Sequence, residues 1–169
     1  SLPNNMKITV REFIQLGVLG STTWFLPFIS KVDKQNVSKI IDTVGLTEYA
    51  NTRIANLSGG QRQRAAIGKA LASRAELLLM DEPMVGVDVE SRNSIMRLLD
   101  DLCHDQNKTI VMISHDLASM KRTAHRMIYL EHKIRYDGTA EDFPDLSSLA
   151  ELRGIEATHP EADSTKSDV

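Results

Sequence analysis

The chain has 169 residues, enough for about one domain with a real core, and its 25% charged and 41% hydrophobic residues are those of an ordinary globular protein. A formal net charge of −3 argues against a general binder of nucleic acid, which needs clustered Lys and Arg. The single cysteine, Cys103, forms no internal disulfide and fits a reducing cytoplasm.

Thr9-Val10-Arg11-Glu12 reads as a capping box that opens a short helix ending at Gly17, its C′ residue. The apolar stretch from Phe13 to Ile29 is interrupted by Gln15, Ser21, Thr22, Thr23 and Pro27, too broken for a membrane span of roughly 20 apolar residues. Trp24 to Phe28 is an apolar knot, read as core with a partly exposed rim or as a docking surface. Asp33 is the expected cap of a second helix, with Val37, Ile40, Ile41 and Val44 on its buried face and Gly45 closing it.

Beyond Gly60 the pattern changes. Gln61 to Ser73 has helical spacing, with Ala65, Ala66, Ile67, Ala70 and Leu71 inside, and Arg62 and Arg64 on a solvated or interdomain face. Leu77 to Met80 is a continuous apolar run ending in Asp81-Glu82-Pro83, as expected of a strand buried on both faces in a parallel sheet. A helix is expected over Val89–Leu102, a second buried strand over Thr109–Ile113, and a helix over Ala118–His125. Met127–Leu130 and Lys133–Tyr136 read as two strands joined by a turn at Glu131-His132. From about Gly154 the sequence is polar and acidic, with the composition of a disordered tail. The strand–helix–strand rhythm predicts an α/β fold with right-handed crossovers.

Four features occur in order: LSGGQ at 57–61, LLLMDEP at 77–83, VGVD at 85–88 and ISHD at 113–116. Each is weak alone, but Ser58 before two glycines is the composition of an anion-binding helix start. Buried parallel strands would bring Asp81 and His115 to one carboxyl edge, where α/β ligand sites form. With these four motifs in this order, the sequence from about Met6 to Gly138 resembles the ATP-binding subunits of ABC transporters.

The resemblance implies a partial P-loop NTPase (RecA-like) parallel sheet with a helical subdomain. Residues 1–56 would belong to the helical subdomain and 57–153 to the signature helix and C-terminal core, with 154–169 as the tail. It implies ATP and Mg²⁺ as ligands. Asp81 would hold Mg²⁺, Glu82 would be the catalytic base orienting water, and His115 would contact the γ-phosphate. Ser58, Gly59, Gly60 and Gln61 would face a nucleotide held by a second ATPase domain in a head-to-tail dimer, with Asp88 crossing that interface. A separate transmembrane permease would be the other partner, placing the protein at the cytoplasmic face of the membrane, with no nucleic acid involved.

No G-x-x-x-x-G-K-[ST] phosphate loop is present, and Gly68-Lys69-Ala70 lacks the glycine spacing and hydroxyl of one. The first residue is Ser1, and the expectation is the later part of an ATPase domain, inactive by itself. The alternatives are a non-catalytic remnant and the ATPase part of an exporter. Asn51 to Asn56 lacks the acidic loop of exporters, and DEPMVGVDVE with the later HDL looks most like the zinc and manganese uptake branch.

Overall fold

The computed structural model describes residues 7–21 and 31–144. Trp24 to Phe28 and the acidic tail, both singled out by the sequence, lie outside the described residues. The chain divides after His115 into two compact units.

The first unit begins with α1 (Val10–Ser21). The capping box forms as the sequence predicts: the Thr9 amide donates to Glu12 Oε2 at 2.7 Å, and the Glu12 amide donates to Thr9 Oγ1 at 3.2 Å. Two amides of the first turn, which no helix satisfies internally, find outside acceptors: Val10 donates to the Thr52 carbonyl and Arg11 to that of Ala50. The predicted stop at Gly17 is wrong. The helix continues to Ser21, and Gly17 is a buried contact residue instead, where a Cβ would meet the Lys69 carbonyl oxygen at 2.1 Å and Ala72 Cβ at 2.9 Å. Apolar spacing continues through Val18, so nothing local terminates the helix there.

Helix α2 (Lys31–Thr43) buries Val37, Ile40 and Ile41, with Val44 buried just beyond its end. Asp33 does not cap it; the residue lies in the first turn, where a carboxylate still favours the positive end of the helix dipole. Gly45 closes the helix at φ 67°, its amide donating to Asp42 O and that of Leu46 to Ile41 O, a left-handed glycine cap. Two 3₁₀ turns (Thr47–Tyr49 and Ile54–Asn56) lead to α3 (Gly59–Ala72), which packs against both α1 and α2.

Strands β1 (Leu77–Asp81) and β2 (Thr109–Ile113) pair in parallel, with Leu77 opposite Thr109 and Asp81 opposite Ile113. Helix α4 (Val89–Gln106) connects them and buries Ile95, Leu98, Leu99 and Leu102. The expected burial of the strands on both faces is not found. Leu78 is buried, whereas Leu79 is 73% and Ile113 62% exposed, because side chains at positions 77, 79, 111 and 113 share the face opposite the core.

The second unit holds α5 (Leu117–Thr123), β3 (Arg126–Glu131) and β4 (Lys133–Thr139). The two strands form the predicted antiparallel hairpin, turning at His132 with φ 57°. Phe143 closes a small core, with Tyr129 and Tyr136 edge-on at 6.2 and 5.1 Å.

Candidate functional site

The sequence-predicted site residues lie in two groups, both in the first unit. One gathers at the start of α3. Ser58 is the N-cap, its Oγ accepting from the Gln61 amide at 3.2 Å while Gln61 Oε1 accepts from the Ser58 amide at 2.9 Å. This reciprocal box aligns the free amides of the first turn and puts the positive end of the helix dipole beside Gly59 and Gly60. It also occupies the Gln61 side chain, which the sequence assigned to a nucleotide.

The 86–91 segment lies against this turn. A Cβ on Gly59 would meet the Gly86 carbonyl oxygen at 2.6 Å, and one on Gly60 would meet Ser91 Cβ at 2.6 Å and Oγ at 2.7 Å. Asp88 is the N-cap of α4, accepting from the Ser91 amide at 2.9 Å. The hydrogen bonds from the Ser91 amide, and then from its hydroxyl, hold the Asp88 carboxyl below the usual carboxylate range.

The other group sits where the two parallel strands end. Asp81, the exposed last residue of β1, is opposite Ile113 of β2. Glu82 follows in the left-handed region at φ 45°, held there as its amide donates to the Ile113 carbonyl at 2.9 Å. Such a conformation is uncommon for glutamate and persists only where surrounding contacts fix it. Glu82 Oε1 accepts from the His115 amide at 3.1 Å and lies 2.7 Å from its Nδ1. With a carboxylate oxygen as acceptor, Nδ1 carries the proton. Both contacts fall on Oε1, so Oε2 takes part in neither. His115 is 80% and Glu82 34% exposed at the side chain, so the pair faces solvent rather than the core.

The structure therefore joins Glu82 to His115 and places Ser58, Gly59 and Gly60 beside Asp88 through Ser91. Two residues outside the predicted site set hold the elements around it. Arg64 was placed on a solvated or interdomain face. It is instead half-buried, donating from Nη1 to the Val44 carbonyl at 2.8 Å and from Nη2 to Ser94 Oγ at 2.6 Å, so that one side chain of α3 grips the end of α2 and the side of α4. Burial pushes its pKa down, though a guanidinium stays charged in proteins. No local signal marks Arg64. Ser91 had one, since Asp-x-x-Ser at a helix start is cap spacing.

A family model described as ABC transporter matches residues 3–85. The zinc uptake system ATP-binding protein ZurA of Listeria monocytogenes is 35% identical over 86% of this chain and 58% of its own length. The manganese transport system ATP-binding protein MntB of Halalkalibacterium halodurans is 36% identical over 80% of this chain and 53% of its own. The phosphonates import ATP-binding protein PhnC 2 of Pseudomonas savastanoi is 35% identical, over 89% and 56%. The chain thus spans about half the length of the curated relatives it matches. Among solved structures, one described as an inward-facing metal-chelate type ABC transporter superposes with a TM-score of 0.83 at 26% identity, over 91% of this chain and 62% of that one. A dimeric bacterial ABC transporter cassette gives 0.67 at 28% identity, over 83% and 61%.

Proposed function

We propose, because this chain belongs to the family of ABC transporter ATP-binding subunits, that its two residue groups are parts of an ATP-hydrolysing engine for transport. The observation that carries the reading is the Glu82–His115 contact. Two residues on successive strand ends meet at 2.7 Å, beside a carboxylate at position 81.

Each residue has a task that its geometry permits. Glu82 orients the attacking water and takes its proton, and Oε2 is the oxygen available for it. Its backbone contact with Ile113 and both bonds from His115 fix the carboxylate before substrate arrives, which is how a positioned base lowers a barrier. His115 donates from Nδ1 to Glu82 and turns Nε2 toward the phosphate. The amides of the α3 start, with Ser58 as cap, face the phosphates of a nucleotide held by a second ATPase domain. Asp88 lies at that same interface.

The donor chemistry fits a hard divalent cation such as Mg²⁺, which takes oxygen ligands: Asp81 presents an exposed carboxylate one residue before the base. When bound, such an ion neutralises charge developing on the phosphoryl oxygens. No described helix is long and apolar enough to cross a membrane. In this reading the transport partner is a separate transmembrane permease, with the subunit peripheral at its cytoplasmic face. The transported substrate in this reading is a divalent metal ion. The zinc and manganese uptake relatives and the metal-chelate type structure support it, while the phosphonate relative at equal identity makes substrate the point for a transport assay to decide.

The test is Glu82→Gln in the full-length protein. Amide for carboxylate keeps the shape and removes the base, so MgATP turnover should fall by about 100-fold or more while ATP binding persists. Turnover near the wild-type rate would remove Glu82 from the chemistry.

A further inference from the structure

The glycines of LSGGQ are ordinarily explained by what must approach them from outside, since a backbone without side chains lets a phosphate come close. Their surroundings in this protein give a different reason. The Cβ directions of Gly59 and Gly60 point at the molecule's own 86–91 segment: the first at the Gly86 carbonyl oxygen, 2.6 Å away, the second at Ser91 Cβ and Oγ, 2.6 and 2.7 Å away. Real Cβ atoms do not come that close to anything, and Gly60 is buried.

The neighbour at position 91 is itself held. Asp88 caps α4 by accepting from the Ser91 amide at 2.9 Å. Gly86 is fixed by its own backbone, at φ 73° in a turn where the Val87 amide donates to Met84 O at 3.2 Å. Neither partner of the two glycines is the loose end of a long side chain, so neither can move aside cheaply.

We propose that the 58–61 turn and the 86–91 segment form one packed element, in which Ser91 is a positioning residue for the start of α3. The bare backbone at Gly60 is then required by Ser91 of the same chain, not by a ligand. The consequence for function rests on the nucleotide-facing reading above. The two segments assigned to the partner domain's nucleotide and interface move together, and a change at one displaces the other.

A double-substitution cycle in the full-length protein tests this. Gly60→Ala should lower the melting temperature by about 5 °C or more, through overpacking against Ser91. Adding Ser91→Gly removes the opposing Cβ and should recover most of that loss, despite the lower helix propensity of glycine. Adding Ser91→Ala keeps the Cβ at 2.6 Å and should recover none of it, which separates the contact from the lost hydroxyl. A Ser91→Gly partner that fails to recover melting, or a Ser91→Ala partner that recovers it equally, overturns the proposal. MgATP turnover adds the functional arm. Turnover regained with melting in the Gly60→Ala, Ser91→Gly double variant supports an intramolecular demand, whereas melting regained with turnover still lost assigns the bare backbone to the ligand and overturns it. If the wild-type protein turns over no MgATP, the proposed function fails, and the melting cycle still decides the contact.

Discussion

Replacing Gly17 by alanine sets two effects against each other. Within an isolated helix the change is favourable by about 1 kcal/mol, because glycine is a poor helix former. In the folded protein the new Cβ would lie 2.1 Å from the Lys69 carbonyl oxygen and 2.9 Å from Ala72 Cβ. Ordinary carbon–oxygen contacts begin near 3.3 Å, so α1 and α3 would have to separate by about 1 Å. The obstacle is helical backbone in the last turn of α3, so no rotamer change relieves it. Separation also loosens Phe13, whose ring has Lys69 Nζ 5.1 Å above it, and Ile14, which rests on Gly68. Overpacking costs run to about 3 kcal/mol, which leaves a net loss of about 2 kcal/mol and a melting temperature lower by about 6 °C. Gly68→Ala is the control: its Cβ would meet the tip of Ile14, Cδ1 at 2.9 Å, and a side chain can turn where a carbonyl cannot. Thermal unfolding followed by circular dichroism should place Gly17→Ala well below Gly68→Ala. A Gly17→Ala variant that melts at or above the parent protein would refute the close approach of the two helices.

Arg64→Met should destabilise by about 2 kcal/mol, because the Val44 carbonyl and Ser94 hydroxyl lose their shared donor in a half-buried place; urea unfolding measures this, and no change would mean water replaces the guanidinium without cost. Ser58→Ala removes the α3 cap and should cost about 1 kcal/mol, with faster hydrogen exchange confined to the first turn of that helix. Stability should fall on acidification. The carboxyls of Glu12, hydrogen-bonded by the Thr9 amide and hydroxyl, and of Asp88, hydrogen-bonded by Ser91, are held below their ordinary values of 4.5 and 3.8. A depressed folded-state pKa contributes stability that is complete above the unfolded value and lost as pH falls through the folded one. Urea midpoints should therefore decline below about pH 4.5, and the decline should be shallower in Asp88→Asn. An equal pH slope in that variant would take Asp88 out of the account.

Local chemistry along the chain was enough to place most elements. The Thr9–Glu12 box, the Gly45 cap, the buried stripe of α4 and the hairpin turning at His132 all follow from residues within one or two turns of each other. The candidate site residues Asp81, Glu82 and His115 were likewise singled out locally, because they stand where apolar runs end. The parallel pairing that puts Asp81 and His115 at one strand edge was expected and is found, but inferences about which distant residue covers or contacts a given side chain failed. Gly17 read as a stop because glycine commonly ends helices; it is a contact residue because Lys69, 52 positions later, lies against it. Arg64 read as part of a solvated or interdomain face because nothing nearby in sequence needs a guanidinium, yet Val44 and Ser94 do. The apolar runs of β1 and β2 promised burial on both faces, but hydropathy records how apolar a strand is and not what covers it. The 2.7 Å contact between Glu82 and His115 and the seating of Gly60 on Ser91 belong to this second class. Both are set by how parallel strands and helix starts converge in space, and a distance between residues 31 or 33 positions apart is fixed by the fold alone.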